Sequence, residues 1–299
     1  MQAKYINPYT DFGFKKLFGE EASKPLLMEF LNCLLPENNT IKNLSFKSTE
    51  QLGQTEADRK AIYDIYCEST TGEKFIVELQ KAKQNYFIDR TIYYSTFPIR
   101  EQAQKGEWDY NLKAVFCIGI LDFAFDKPKT KEKTVIHQVK LKNQENNIFY
   151  DKLTYIYLEM PHFELEEKDC KTKLEKFLYF LKHLEDFENI PEIFKGEILF
   201  EKAFERAEIA KFNQAEIYNY EMSLKVFRDL KNTMDYAVEE ATRIGLEKGK
   251  LEGKLEGKLE GKLEGKLEIA RNLLDILDNE TIALKTGLSI IEIKKLRES

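Results

Sequence analysis

Asp64, Glu78 and Gln80 stand inside two runs otherwise rich in Ile, Tyr, Phe and Val, "IYDIYCE" (62–68) and "KFIVELQ" (74–80). A polar, glycine-containing turn at 69–73 joins them, so the pair reads as a β-hairpin. Strand alternation puts Asp64, Tyr66 and Glu68 on one face, and Lys74, Ile76, Glu78 and Gln80 on the matching face of the second strand. With Glu68 opposite Lys74, Ile76 falls opposite Tyr66 and Glu78 opposite Asp64. Directly opposed residues have Cβ atoms about 4.5–5.5 Å apart. Two ionised carboxylates at that separation repel by about 3 kcal/mol at an effective dielectric near 20. A divalent cation, neighbouring lysines such as Lys74 and Lys60, or a shared proton would each offset that cost. Two carboxylates and a strand carbonyl suit Mg²⁺, which takes oxygen ligands and keeps waters for a substrate phosphate. Such an ion polarises a phosphodiester and generates hydroxide near neutral pH. The plainer alternative is the wet face of an amphipathic hairpin with no metal.

Basic residues follow the hairpin: Lys81, Lys83, Arg90, Arg100 and Lys105, interleaved with Tyr86, Phe87, Tyr93, Tyr94 and Phe97. They could seat a phosphate backbone beside the acids, or belong to an ordinary amphipathic helix whose aromatics enter the core. Alternation places Lys60 and Lys74 on the face of the acids and turns Lys81 and Lys83 away from it. The lysine-rich 127–133 reads as a solvated loop.

The elements that must position these groups are legible from periodicity. Residues 11–35 carry apolar residues at helical spacing, with a break at Gly19 and Ser23-Lys24-Pro25. A first strand is expected within 41–49. Residues 86–104 are expected as a helix burying Ile88, Ile92, Ser95 and Ile99, kinked or broken at Pro98. "KAVFCIGILDF" (113–123) is almost wholly apolar, as a strand covered on both faces would be. Alternation marks further strands at 134–142 and 152–160, and the pattern from 163 to 244 is helical and charged. A helix between a hairpin and a buried strand suits a mixed sheet with helices packed on it.

Residues 245–268 repeat Gly-Lys-Leu-Glu with a period of four. On a helix each stripe then drifts by about 40° per repeat. Five glycines cost about 1 kcal/mol each relative to alanine, and the i,i+4 charge pairs are like-with-like. The segment is expected as a marginal helix or flexible spacer, with self-association as the alternative. Beyond it, Ala283, Gly287, Ser289 and Ile293 have the spacing of a helix-turn-helix. Ile290, Ile291 and Glu292 stand where base-reading residues would be wanted, which favours a helical cap or docking hairpin.

The chain has 299 residues, 42% of them hydrophobic, and a net charge of −6, so attraction to nucleic acid must come from local patches. No apolar run reaches transmembrane length, and "MQAKYINPYT" does not read as a signal peptide. Four scattered cysteines read as reduced structural thiols, pointing to a cytoplasmic protein. Three histidines, each alone in the sequence, argue against zinc and against a histidine triad.

The string Asp64–x13–Glu78–x–Gln80, placed between a helix and a helix–strand pair, resembles the core of the PD-(D/E)XK nuclease superfamily. The chain resembles more specifically the Rpn-type recombination-promoting nucleases, also described as PD-(D/E)XK nuclease family transposases. The stretches that carry this are "TDFGFKKLFG" (10–19), "LMEFLNCLLP" (27–36), "YDIYCESTTGEKFIVELQ" (63–80) and "FIDRTIYYSTFPIREQAQKGEWDYNLKAVFCIGILDF" (87–123), followed by the repeats and "TGLS". The resemblance implies an α/β nuclease-like core at 1–160: a mixed sheet flanked by helices. A helical region at 161–244, a repeat spacer at 245–268 and a small helix-turn-helix-like unit at 269–299 would follow. It further implies a Mg²⁺-dependent DNA endonuclease, with Mn²⁺ or Ca²⁺ as substitutes, in a recombination or mobile-element setting. Asp64 and Glu78 would be metal-binding carboxylates. Gln80 stands where the superfamily name has lysine, so the basic group would come from Lys74 or Lys60. Lys81, Lys83, Arg90 and Arg100 would contact DNA, and cleavage by two copies would imply a homodimer. Gln80 and the acidic pI also suit an inactive nuclease-fold module that only binds DNA or protein.

Overall fold

The Thr10 hydroxyl accepts the Gly13 N–H at 3.0 Å and so starts the first helix, α1 (Asp11–Phe18), which Gly19 ends. A 3₁₀ turn leads into α2 (Lys24–Leu34), with Pro25 in the first turn where no N–H is needed. The expected break therefore lies between two short helices. The computed structural model describes residues 3–36, 40–51, 61–103, 108–125 and 133–298. The chain divides into two units, Met1–Arg228 and Asp229–Ser299.

In the first unit, β1 (Leu44–Phe46), β4 (Ile65–Ser69), β5 (Lys74–Gln80), β6 (Val115–Leu121), β7 (Ile136–Lys142) and β8 (Ile148–Glu159) form one sheet in the order β1-β4-β5-β6-β8-β7. β5–β6 and β6–β8 are parallel and the other pairs antiparallel, so the sheet is mixed. A separate two-stranded ribbon pairs β2 (Glu50–Gln51) with β3 (Ala61–Ile62). One face of the sheet, with Ile65, Cys67, Phe75, Val77, Ile118 and Ile156, packs into the large core built by α1, α2, α4 (Lys173–His183) and α5 (Ile198–Ala207). Phe177, Phe180, Phe194, Phe200 and Phe204 lie in that core at ring separations of 4.7–6.0 Å where they touch.

The other face carries a smaller core, covered by α3 (Phe87–Glu101). The buried side of α3 differs from the expected one. Phe87, Thr91, Ser95, Phe97 and Pro98 are buried, whereas Ile88 and Ile92 are 52% and 48% exposed. Hydroxyl pairing sets this rotation: Thr91 Oγ1 lies 2.7 Å from Tyr157 Oη, and Ser95 Oγ 2.8 Å from Tyr155 Oη. Pro98 lies inside the helix, so of the expected kink or break the break does not occur. The Tyr94 carbonyl, four residues back, would lose its helical donor to the proline, and it accepts the Tyr63 hydroxyl at 3.0 Å instead.

Helix α6 (Gln214–Leu273) begins in the first unit and continues in the second. The Gly-Lys-Leu-Glu repeats are helical within it. An added Cβ at Gly249, Gly253, Gly257, Gly261 or Gly265 would meet nothing within 4 Å. Helix is anchored beyond them, because Leu267, Ala270 and Leu273 join a small core with Ile282, Leu288 and Ile293, so the repeats need not nucleate alone. α7 (Asn279–Thr286) and α8 (Ile290–Glu298) flank Gly287, whose φ of 69° suits glycine, and Ser289 caps α8 through Glu292. No helix among the described residues is long and apolar enough to cross a membrane.

Candidate active site

The hairpin pairs Glu68 with Lys74, Tyr66 with Ile76 and Ile65 with Val77, the register expected from the sequence. Its continuation brings Asp64 to Glu78, just past the last ladder pair. There the two carboxylates, rather than carbonyls, receive the backbone donors. Asp64 Oδ2 accepts the Leu79 N–H at 2.7 Å, and Glu78 Oε1 accepts the Asp64 N–H at 3.2 Å. Among the described residues, Asp64 Oδ1 and Glu78 Oε2 have no hydrogen-bond partner. Burial, then the charge of Asp64, pushes the Glu78 carboxyl up to about 8. Burial also lifts Asp64, with Asp11 adding to it, while the Leu79 N–H, Lys15 and Lys81 pull it down. Both shifts run in the direction that favours a proton shared by the pair, with Glu78 raised by burial and by the charge of Asp64.

The face carrying the acids is not the wet side of an amphipathic hairpin. Tyr66 and Ile76 on that face are buried beneath α3, and the acids sit at the margin of this second core. Glu78 is paired across the parallel ladder with Gly119. A Cβ on Gly119 would approach Tyr157 Cδ1 to 3.0 Å, so glycine preserves room next to the acid. A cavity of about 10 Å³ there, roughly one water in size, is lined by Glu78, Thr91, Tyr94, Gly119 and Tyr157.

The expected basic groups divide. Lys74 is 6% exposed and spent elsewhere: its Nζ lies 3.0 Å from Glu68 and 3.7 Å from Glu101. Glu78 stands four residues farther along the strand, about 13 Å away at normal strand rise. This distance takes Lys74 out of direct reach of the acids. Lys60 and Lys105 lie outside the described residues, as does most of 127–133. Lys81, expected to turn away, is half-buried within electrostatic range of Asp64, Asp11 and Lys15, and burial pulls its ammonium below the usual lysine range. Lys83 is exposed. Arg100 lies over the Phe97 ring at 5.1 Å, about 15 Å along α3 from Arg90 at normal helical rise. The basic residues after the hairpin are therefore not one patch.

Arg90 is the member of that set whose charge acts on Glu78. Its Nη2 donates to Gln80 Oε1 and its Nη1 to Gln84 Oε1 at 2.6 Å. Gln80 is 8% exposed, with Nε2 donating to the Ala82 carbonyl at 2.8 Å. Sequence reasoning did not single out Lys15, whose charge reaches both acids from α1. Lys15 is ion-paired with Asp11 at 2.9 Å. Beside them a cavity of about 470 Å³ is lined by Asp11, Lys15, Lys16, Lys81, Asn219 and Ser223. The signal for Lys15 was the "TDFGFKKLFG" stretch, but its proximity to the hairpin depends on long-range packing.

Hard carboxylate oxygens that repel one another and retain a proton suit a divalent oxygen-seeking cation. Such an ion keeps most of its shell as water, so two carboxylates suffice. Among the described residues no group of three His, Cys, Asp or Glu gathers as a ligand set. The histidines are less isolated than the sequence suggests. His162 Nδ1 lies 2.7 Å, and His137 Nε2 3.2 Å, from the two oxygens of buried Glu159. All four cysteines are free thiols, and burial pushes Cys67 up to about 12, so it stays protonated.

A family model described as PD-(D/E)XK nuclease family transposase matches residues 8–237. The chain belongs to this family, and its mixed six-stranded sheet flanked by helices has a PD-(D/E)XK nuclease-like fold. Among curated proteins, Nesprin-2 of Homo sapiens is 27% identical over 136 residues, 38% of this chain. The chain spans only 2% of that relative's length, so the likeness carries no argument about function. No solved structure matches.

Proposed function

We propose that this chain is a divalent-cation-dependent endonuclease that cuts DNA in a recombination or mobile-element setting. The observation that carries the reading is the half-buried Asp64–Glu78 pair, held by strand register and by the backbone N–H groups of Leu79 and Asp64 in a chain of this nuclease family. Asp64 and Glu78 would hold Mg²⁺, or Mn²⁺ in its place, through their free oxygens. The bound ion would polarise the phosphodiester and lower the pKa of a coordinated water. Asp64 and Glu78 would hold the ion at the end of β5, and any proton on Glu78 would pass to solvent on binding. Water would add to phosphorus as its proton passes to solvent, and the bond to one sugar oxygen would break, that oxygen leaving as a hydroxyl with a proton taken from solvent.

The lysines around the cavity beside Asp64, Lys15, Lys16 and Lys81, would meet backbone phosphates, with Lys83 and Arg100 reaching farther along the duplex. The free thiols fit a cytoplasmic setting, and cutting both strands would take a homodimer. Gln80 in place of the motif lysine favours a second reading, a nuclease-fold module that binds DNA without cutting it.

Plasmid nicking with Mg²⁺ or Mn²⁺ separates the two. The wild-type chain is expected to convert supercoiled DNA to nicked and linear forms, and Asp64→Ala and Glu78→Ala to lose at least about a hundredfold in rate. Equal background conversion by all three would favour the binding module.

A further inference from the structure

We propose that Arg90 supplies the positive charge of the acid site, and that Gln80 is the positioning residue that holds it there. The inference rests on the nuclease reading and assigns a role the family pattern gives to another residue. The motif lysine is absent at position 80, yet a cation stands at that place. The Gln80 carbonyl oxygen accepts an Arg90 N–H, and Gln84 takes a second one at 2.6 Å. The guanidinium carbon lies 5.4 Å from the Phe87 ring and 5.8 Å from the Tyr94 ring, so the side chain is clamped by amides and bordered by aromatic surface. The same charge bears on Glu78, next but one to Gln80 on β5.

Among the described residues the other cations are either paired away from the acids or approach them from the side of α1. Lys74 pairs with Glu68 and Glu101, Lys15 pairs with Asp11, and Lys81 acts on Asp64 from the α1 side. An arginine stays charged under all working conditions, and only two of its five N–H donors are used by the two glutamines, leaving donors for a phosphoryl oxygen. The glutamine then has a physical reason. Its carbonyl oxygen is an acceptor that draws Arg90 in, whereas a lysine at position 80 would offer no acceptor and would place a second cation against the first. Gln80 and Arg90 are therefore a matched pair, and the charge enters from α3 rather than from β5.

The test is a double-substitution cycle in the full chain: wild type, Arg90→Ala, Gln80→Lys and the two combined, with Asp64→Ala as the inactive reference. Single-turnover cleavage is followed in Mn²⁺, and DNA affinity by fluorescence anisotropy in EDTA. Arg90→Ala is expected to cut about a hundredfold more slowly than wild type while binding DNA within about threefold. Adding Gln80→Lys to Arg90→Ala is expected to recover at least about tenfold of the lost rate. Gln80→Lys alone is expected to fall below wild type, because it expels Arg90. Three results overturn the proposal. Arg90→Ala cuts like wild type while Asp64→Ala is dead; or its loss appears equally in DNA affinity, as for a phosphate anchor; or the combined variant recovers nothing. A wild-type chain that cuts no better than Asp64→Ala overturns it together with the nuclease reading, and that outcome is distinct from the other three.

Discussion

Glu78→Gln is expected to stabilise the cation-free chain at pH 8 and to leave it nearly unchanged at pH 4, while abolishing cleavage. The reason is the proton on Glu78. Its carboxyl titrates near 8 in the folded chain, against an ordinary value of 4.5, because burial and Asp64 disfavour the charge. A folded-state value raised above the unfolded one means that the folded chain binds the proton more tightly. The resulting stability is fully present below about pH 4.5 and is lost as pH rises through about 8. The wild-type chain should therefore weaken across that window. Glutamine keeps the oxygen that accepts the Asp64 N–H but carries no charge, so the variant should not weaken there. A shift this large corresponds to a few kcal/mol, and several degrees in Tm for a unit of this size. Thermal melts in EDTA at pH 4, 6 and 8 check it. A Glu78→Gln chain that melts below wild type at pH 8 would show that the carboxylate is satisfied as a charge and that the strain inferred here is absent. Activity and stability move in opposite directions at this residue, as expected of a group retained for chemistry rather than for folding.

Gly13→Ala should be among the most damaging single substitutions in the first unit. A Cβ at that position would lie 2.2 Å from the Asn7 carbonyl oxygen and 2.7 Å from Thr10 Oγ1. Neither neighbour can step aside cheaply. The Asn7 oxygen belongs to the backbone and accepts the Thr10 hydroxyl, and Thr10 caps α1 through the Gly13 N–H. The turn is also anchored at long range, since Asn7 N–H donates to the Tyr220 hydroxyl at 2.9 Å. The substitution must open the turn, lose the cap and move α1, with Phe14, Leu17 and Phe18 in the core on one side of it and Lys15 near the acids on the other. The expected loss is about 3 kcal/mol or more, read as a fall in the chemical-denaturation midpoint. A midpoint within measurement error of wild type would mean that the turn is far softer than its packing indicates.

Much of the site was legible because strand geometry leaves few choices. One ion-pair register, Glu68 against Lys74, was enough to carry Asp64 to Glu78, and the ladder follows it. What was not legible depended on partners distant in sequence. Hydrophobic periodicity put Ser95 inside but could not see that Thr91 would join it while Ile88 and Ile92 turned outward, because the burial of both hydroxyls is bought with those of Tyr157 and Tyr155. Nor could it see that the Tyr63 hydroxyl would excuse Pro98. Those two errors hid the second core and made the acid-bearing face look solvent-exposed. Charge counting placed Lys74 with the acids because it shares their face, but same-face residues four apart on a strand do not meet, and Glu68 was the nearer partner. Lys15 and Lys81 converge on Asp64 only once α1 is packed beside the end of β5, a contact no local pattern encodes.

The central claim is that Asp64 and Glu78 share a divalent cation. Titration of the full chain with Mn²⁺, followed by electron paramagnetic resonance, tests it most directly. The account predicts one ion per chain, abolished by Asp64→Asn or Glu78→Gln, with affinity rising between pH 6 and pH 8.5 as the Glu78 proton is displaced more easily. Undiminished binding in both variants, or no binding by the wild-type chain, would contradict it.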